Sequence, residues 1–141
     1  YAVVGGASHA SLWAGSAASW VDLNPSGATS STAWGNLGGL QVGGSVIGGA
    51  QRASLWSGSA GSFVDLHSYL PASFSNSVAR SISTDGVNYY IVGGGLNTAT
   101  GRGEAILWMQ PVPEPVTTLT LGVGLLGLLR KRRLSAKGAK N

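Results

Sequence analysis

The sequence predicts an all-β repeat body followed by a single C-terminal transmembrane helix. Three observations carry that expectation. First, a 22-residue segment occurs twice at a fixed offset. Val3–Asn24 reads VVGGASHASLWAGSAASWVDLN and Val46–His67 reads VIGGAQRASLWSGSAGSFVDLH, 43 residues apart and identical at 15 of 22 positions. Second, both copies consist of short runs rich in Val, Leu, Trp and Phe, separated by Gly, Ser and Ala, which is how strands and turns alternate. Third, the end of the chain is a run of apolar residues closed by four consecutive cations, Arg130, Lys131, Arg132 and Arg133.

Taken in order, residues 1–110 form the repeat domain. In each copy an apolar run ends in Gly-Gly, followed by Ser-Leu-Trp and then by Trp-Val-Asp-Leu or Phe-Val-Asp-Leu. A partial third copy is read from Ile91–Gly94 (IVGG) and Ala105–Trp108 (AILW), with extra residues Leu96–Gly103 between them. Ala33–Gly44 and Ala79–Gly94 supply the remaining strand signals, and Asp85-Gly86 is a hairpin turn, because glycine tolerates positive φ. Three or four short strands every 40–50 residues is the pattern of a β-propeller blade, with a β-sandwich or β-solenoid as the competitor. Two and a half blades cannot close a ring, so the propeller is read as incomplete. The opening YAVVGG shows no secretory leader pattern and looks like the middle of a strand, so further blades are expected upstream.

Composition narrows the function classes. The 141 residues include 23 glycines and no cysteine, so disulfides and thiolate metal sites are excluded. The net charge of +4 invites a nucleic-acid reading, but six of the nine cations lie in the last twelve residues. The body holds only Arg52, Arg80 and Arg102 against five acids and has no basic face for phosphate, so no nucleic-acid partner is expected.

Chemical motifs are equally sparse. Gly122–Gly127 fits G-x-G-x-x-G, but no acid follows Glu114, and small residues in a membrane helix are the better account. Asp22–Gly27 resembles the start of a calcium loop, yet Ala33 stands where the bidentate Glu belongs. His9 and His67 are the only imidazoles, and neither lies in a nucleophile motif. No cofactor, no metal and no catalytic residue is expected, and the body is read as non-enzymatic. Trp13, Trp56 and Trp108 recur at one repeat position. Either they fill the gaps between neighbouring blades or they form a row of sugar-stacking aromatics. Asp22 and Asp65 are read as turn caps that accept nearby backbone N–H groups.

The tail has three parts. In residues 111–115 the prolines fix φ and push each preceding residue toward extended backbone, so Glu114 is presented without helix or sheet around it. Residues 116–133 form the helix with its basic end. The fourteen residues Val116–Leu129 would span about 21 Å as a helix, short of the roughly 30 Å hydrocarbon core, but membrane thinning and snorkelling cations make up the difference. Cations after an apolar span mark the cytoplasmic side, which leaves residues 134–141 as a cytoplasmic tail and the body outside the cytoplasm.

Pro113-Glu114-Pro115, a short apolar helix and an arginine-rich end together resemble the PEP-CTERM sorting signal of Gram-negative bacteria. The resemblance implies recognition by an exosortase, a membrane-embedded cysteine transpeptidase-like enzyme. It implies a transient inner-membrane stage, then processing near the Pro-Glu-Pro motif and release to the envelope, the exterior or an exopolysaccharide matrix. The body more loosely resembles propeller-like and HAF-type extracellular repeats. A lectin-like or hydrolytic propeller with its site in other blades is the runner-up, and a permanently anchored membrane protein is a third reading.

Overall fold

A computed structural model of the chain describes residues 1–113. Tyr1–Pro111 form one compact unit, built of antiparallel strands with three short 3-10 turns and no α-helix among the described residues. The predicted span over 116–133 and the tail 134–141 lie outside the described residues. Among those described, no helix is long and apolar enough to cross a membrane.

The strands fall into three successive meanders. The first comprises β1 (Ala2–Val4), β2 (Ala7–His9), β3 (Ser11–Leu12) and β4 (Val21–Asp22). The second is a four-stranded sheet, β5 (Ala28–Leu37), β6 (Leu40–Ile47), β7 (Ala50–Trp56) and β8 (Val64–Asp65), each strand paired with the next. The third is β9 (Phe74–Thr84), β10 (Asn88–Asn97) and β11 (Arg102–Pro111). The all-β, repetitive expectation is therefore met as several small antiparallel sheets. A ring of propeller blades is not part of what this topology shows.

Two roles for glycine explain the strand register and correct one reading of the sequence. Gly48 and Gly49 have φ of +60° and +80° and make the tight turn between β6 and β7, a backbone that side chains with a Cβ resist. Gly93 and Gly94 look like the same Gly-Gly in sequence, but they sit inside β10. Their counterparts are Gly43 and Gly44. Val42 pairs with Leu55 and Gly43 with Ser54, just as Val92 pairs with Leu107 and Gly93 with Ile106. A Cβ on Gly43 would lie 1.9 Å from the Thr32 carbonyl oxygen, and one on Gly93 would lie 1.9 Å from that of Val78. The neighbouring strand thus comes too close for any side chain. The third copy consequently aligns as Ile91–Gly94 on Gln41–Gly44, and its hairpin turn lies between Asn97 and Arg102.

Beside each of these glycines the partner strand carries an extra residue. Trp34 is the bulge in β5, and Arg80 is the bulge in β9. Bulges bend a strand and raise its twist, and the two bulged side chains meet, with the Arg80 guanidinium 4.6 Å from the Trp34 ring centre. Such a cation–π contact is worth about 0.5–1 kcal/mol at an exposed site.

The meanders are joined by two apolar clusters. Ala10 and Leu23 of the first meander bury Trp56 of the second, with Leu12, Ala33 and Phe63 packed around them. Ala53, Leu55 and Leu66 of the second meander bury Ile82, Ile91 and Trp108 of the third. At both junctions the Ala-x-Leu of the preceding meander meets the Trp of the following one.

Candidate functional site

Two places in the chain carry features that packing alone does not require. One is the segment that follows β11. Pro111 still pairs with Asn88, Val112 and Pro113 belong to no strand, and Pro113 is exposed. A proline cannot donate to a sheet ladder, so a Pro-x-Pro sequence after a strand ends the pairing. Glu114 and Pro115, the rest of the predicted motif, and the cations Arg130–Arg133 lie outside the described residues.

The other place is a polar cluster that occurs twice, at the rear of the first meander and at the rear of the second. In the first, Asp22 Oδ1 accepts the Asn24 backbone N–H at 2.8 Å, and its Oδ2 lies 2.7 Å from His9 Nδ1. The Ser31 hydroxyl accepts the Ala10 N–H at 3.0 Å and donates to Asn24 Oδ1 at 2.6 Å. In the second, Asp65 Oδ1 accepts the His67 N–H at 2.9 Å and Oδ2 accepts from Arg52 at 2.8 Å. Ser77 accepts the Ala53 N–H at 3.0 Å, and Nδ1 of His67 stands where Oδ1 of Asn24 stands, 2.8 Å from the hydroxyl.

Each cluster satisfies a backbone N–H that would otherwise be stranded. Ala10 and Ala53 are fully buried, and the serine that meets each one comes from the following repeat. The clusters therefore clasp one meander to the next. Both aspartates bond the backbone two residues on, as the turn-cap reading expects. Partial burial raises the Asp22 carboxyl, but the Asn24 N–H and the contact with His9 outweigh it and hold the group below its ordinary range.

What this arrangement can do chemically is limited by access. Ser31 and Ser77 are almost fully buried, so neither hydroxyl is placed to attack a substrate. The residue beside the aspartate is His9 in one copy and Arg52 in the other, and a guanidinium is not a metal ligand. Among the described residues no three His, Cys, Asp or Glu side chains converge on one point. Sequence reasoning missed the clasp because His9 and His67 are not equivalent by offset. They belong to different corners of the same cluster: His9 matches Arg52, and His67 matches Asn24. The usable signal was the repeated His/Arg-Ala pair followed by Asp-Leu-Asn/His.

The recurrent tryptophans are placed unequally. Trp56 and Trp108 lie inside the two apolar clusters, with the Trp108 indole N–H donating to the Leu66 carbonyl at 3.0 Å. Trp13 is exposed. Two members of the supposed stacking row are thus enclosed between meanders, where filler is needed. A groove of about 480 Å³ lies beside Trp108, bordered by Leu66, Tyr69, Leu70 and Met109.

The comparison with protein families decides the first of the two places. Residues 111–133 match the PEP-CTERM protein-sorting motif. The match covers under a fifth of the chain and says nothing of the repeats. No curated protein and no solved structure matches the chain. The PEP-CTERM motif supports an exosortase-processed sorting signal on an exported protein handled at the membrane.

Proposed function

We propose that the chain is an exported, envelope-associated repeat protein whose PEP-CTERM tail is cut by an exosortase and whose body is not an enzyme. The observation that carries this reading is the match over residues 111–133, which begins where β11 ends. The tail enters the inner membrane transiently as a helix over residues 116–133, with Arg130–Arg133 as its cytoplasmic stop. Pro113, Glu114 and Pro115 present the cleavage region in extended form. Folded strands run up to Pro111, so a cut near Glu114 would leave the body intact.

The body serves as a structural module of propeller-like repeats in the envelope or in an exopolysaccharide matrix. Its buried clasps and enclosed tryptophans favour a scaffold over a catalytic pocket, and the matrix association rests on the destination of the exported chain. Peptide mass spectrometry of the envelope and secreted fractions tests the sorting step. A mature chain that ends near Glu114, with no peptide from 116–141, is the expected result. Persistence of peptides from Leu134–Asn141 on the mature protein would make the tail a permanent anchor instead. For the body, pulldown with purified exopolysaccharide is expected to retain the chain, and no retention removes the matrix role.

A further inference from the structure

We propose that the outer face of the third meander, at its Pro111 end, rests on the lipid headgroup layer of the membrane that the sorting tail enters. Directly opposite residues of an antiparallel pair share a face, and so do alternate residues along a strand. In β10 and β11 this puts Tyr90 with Met109 and Val92 with Leu107 on the face turned away from the second meander. Ile91 and Trp108, on the other face, belong to the cluster shared with the second meander. The outer pairs are open: Val92 is 46% exposed, Leu107 56% and Met109 60%. The corresponding face of the second meander, with Val42 and Leu55, is covered by the third. After β11 the chain passes instead into the sorting motif at residue 111.

This face is asymmetric along its length. Its remaining pairs are Asn88 with Pro111 at one end, and Gly94 with Ala105 and Leu96 with Gly103 at the other. Four of its five large apolar or aromatic side chains, all but Leu96, therefore lie in the half next to Pro111. The turn at that end adds Val87, 69% exposed. None of the ten residues on this face of β10 and β11 is charged. Asp85, in the turn, has its carboxylate occupied by the Val87 and Asn88 N–H groups and the Tyr90 hydroxyl. A neutral patch of aliphatic side chains beside a tyrosine suits the headgroup boundary, where such a ring keeps its apolar body inward and its hydroxyl wet.

The length of chain beyond the fold says what covers the patch. β11 ends at Pro111, and the apolar run begins at Val116. Five residues reach at most about 18 Å when fully extended. The other end of β11 lies about 30 Å farther along the strand. With the tail inserted over residues 116–133, a reading on which this contact rests, the Pro111 end of the face is kept beside the headgroups. The turn at residues 98–101 is free to stand off. A tether this short holds the patch at millimolar effective concentration, so a contact too weak to bind a free body forms while the tail is attached. Cleavage near Glu114 removes the tether and the contact with it, which lets the cut body leave. A second copy or a polysaccharide gains nothing from that tether.

The absence of cysteine allows single-site labels. Full-length chains carrying Val87→Cys, Met109→Cys, Ala99→Cys or Leu125→Cys are labelled with bimane. They are placed in nanodiscs of phosphatidylethanolamine and phosphatidylglycerol that contain a lipid with a nitroxide at headgroup depth or just below it. Leu125→Cys reports the tail, and Ala99→Cys, in the turn between β10 and β11, reports the body away from the patch. Val87 and Met109 are exposed, so neither substitution threatens folding. Quenching at Val87→Cys and Met109→Cys about threefold above that at Ala99→Cys is expected. Adding Leu107→Asp is expected to bring the Val87→Cys signal down to the Ala99→Cys level and to leave the Leu125→Cys signal unchanged. Quenching at Leu125→Cys with the patch no closer to lipid than Ala99→Cys overturns the proposal and leaves the insertion of the tail standing. Persistence of the Val87→Cys signal with Leu107→Asp also overturns it, because the apolar face would not be what touches lipid. No quenching at Leu125→Cys overturns the insertion of the tail, and the contact falls with it.

Discussion

The two internal junctions use the same clasp but different filling. At each, a buried alanine N–H reaches a serine of the next repeat, and an aspartate holds the turn beside it. Around that frame the residues change. His9 gives way to Arg52 and Asn24 to His67, and the indole of Trp56 is unbonded where that of Trp108 reaches Leu66. The ladder residues that pair with these tryptophans are Gln41 at the first junction and Ile91 at the second. The repeat is thus conserved in its backbone geometry and loose in its side-chain chemistry. What the sequence must keep are groups that let strands approach or that satisfy a stranded N–H. What it can vary are groups that only fill.

The harshest way to break the second or third meander is to add a methyl group where its own strands touch. Gly43→Ala and Gly93→Ala would each set a Cβ 1.9 Å from a backbone carbonyl oxygen, which no side-chain movement relieves. Both are expected to cost more than about 4 kcal/mol or to prevent folding, among the largest single-residue effects. Gly61→Ala, in open space and without positive φ, is the control and is expected to stay within about 0.5 kcal/mol. Urea unfolding of the full chain followed by tryptophan fluorescence reads all three. Similar midpoints for the two core variants and the control would show that the strands part easily.

The tryptophans sharpen the contrast. Truncation to alanine at Trp56 or Trp108 is expected to cost about 3–5 kcal/mol each. Replacement by phenylalanine should separate them. Trp108→Phe leaves the buried Leu66 carbonyl without its donor, whereas Trp56→Phe removes an N–H that has no partner. Trp108→Phe is therefore expected to be the worse by about 1–3 kcal/mol. Equal costs would mean that both indoles act by volume alone.

The serines test whether the clasp is shared. Ser31→Ala and Ser77→Ala each strand a buried alanine N–H, and each is expected to cost about 1–3 kcal/mol. The two values should agree within about 0.5 kcal/mol, because the lost backbone bond is the same and only its outer partner differs. A much larger cost at Ser77 would give His67 a part in holding the second junction that Asn24 does not play in the first.

How much of this was legible in the sequence follows from the same distinction. The copies starting at Val3 and Val46 announced themselves because Ala-Ser-Leu-Trp and the aspartate are kept residue for residue. The third copy was placed out of register because Gly-Gly has two causes. In Gly48-Gly49 the cause is positive φ, and in Gly93-Gly94 it is a neighbouring strand, which only three-dimensional packing reveals. The clasp stayed hidden since its corners exchange Asn for His and His for Arg. Hydrogen-bonding capacity is kept there while residue identity is not. The sorting segment was legible as a motif because the order of its parts is a linear pattern, and residues 111–133 match the PEP-CTERM protein-sorting motif. The blade ring was not, since a strand period fixes the meander and leaves its closure open.

The turns give the smallest and most local contrast. Between β5 and β6 the turn is Gly38-Gly39, with no side chain to titrate, and between β9 and β10 it is Asp85-Gly86. The Asp85 carboxylate accepts from the Asn88 N–H, the Tyr90 hydroxyl and the Val87 N–H, all within 2.8 Å. These bonds, the Asn88 N–H foremost, lower its pKa from 3.8 to about 2. The sign follows from the direction: a carboxyl depressed in the folded state adds stability that is complete above its unfolded value. That contribution fades as pH falls from about 4 to about 2. Following the Val87 and Asn88 amides by NMR through that range should give a midpoint near 2, and Asp85→Asn should abolish the titration while the Gly38-Gly39 turn stays unchanged. A midpoint near 3.8 would mean that the three bonds do not hold the carboxylate in solution. The hairpin would then lack the side-chain tie that Gln41 gives its counterpart in the second meander by donating to the Gly39 carbonyl at 2.9 Å.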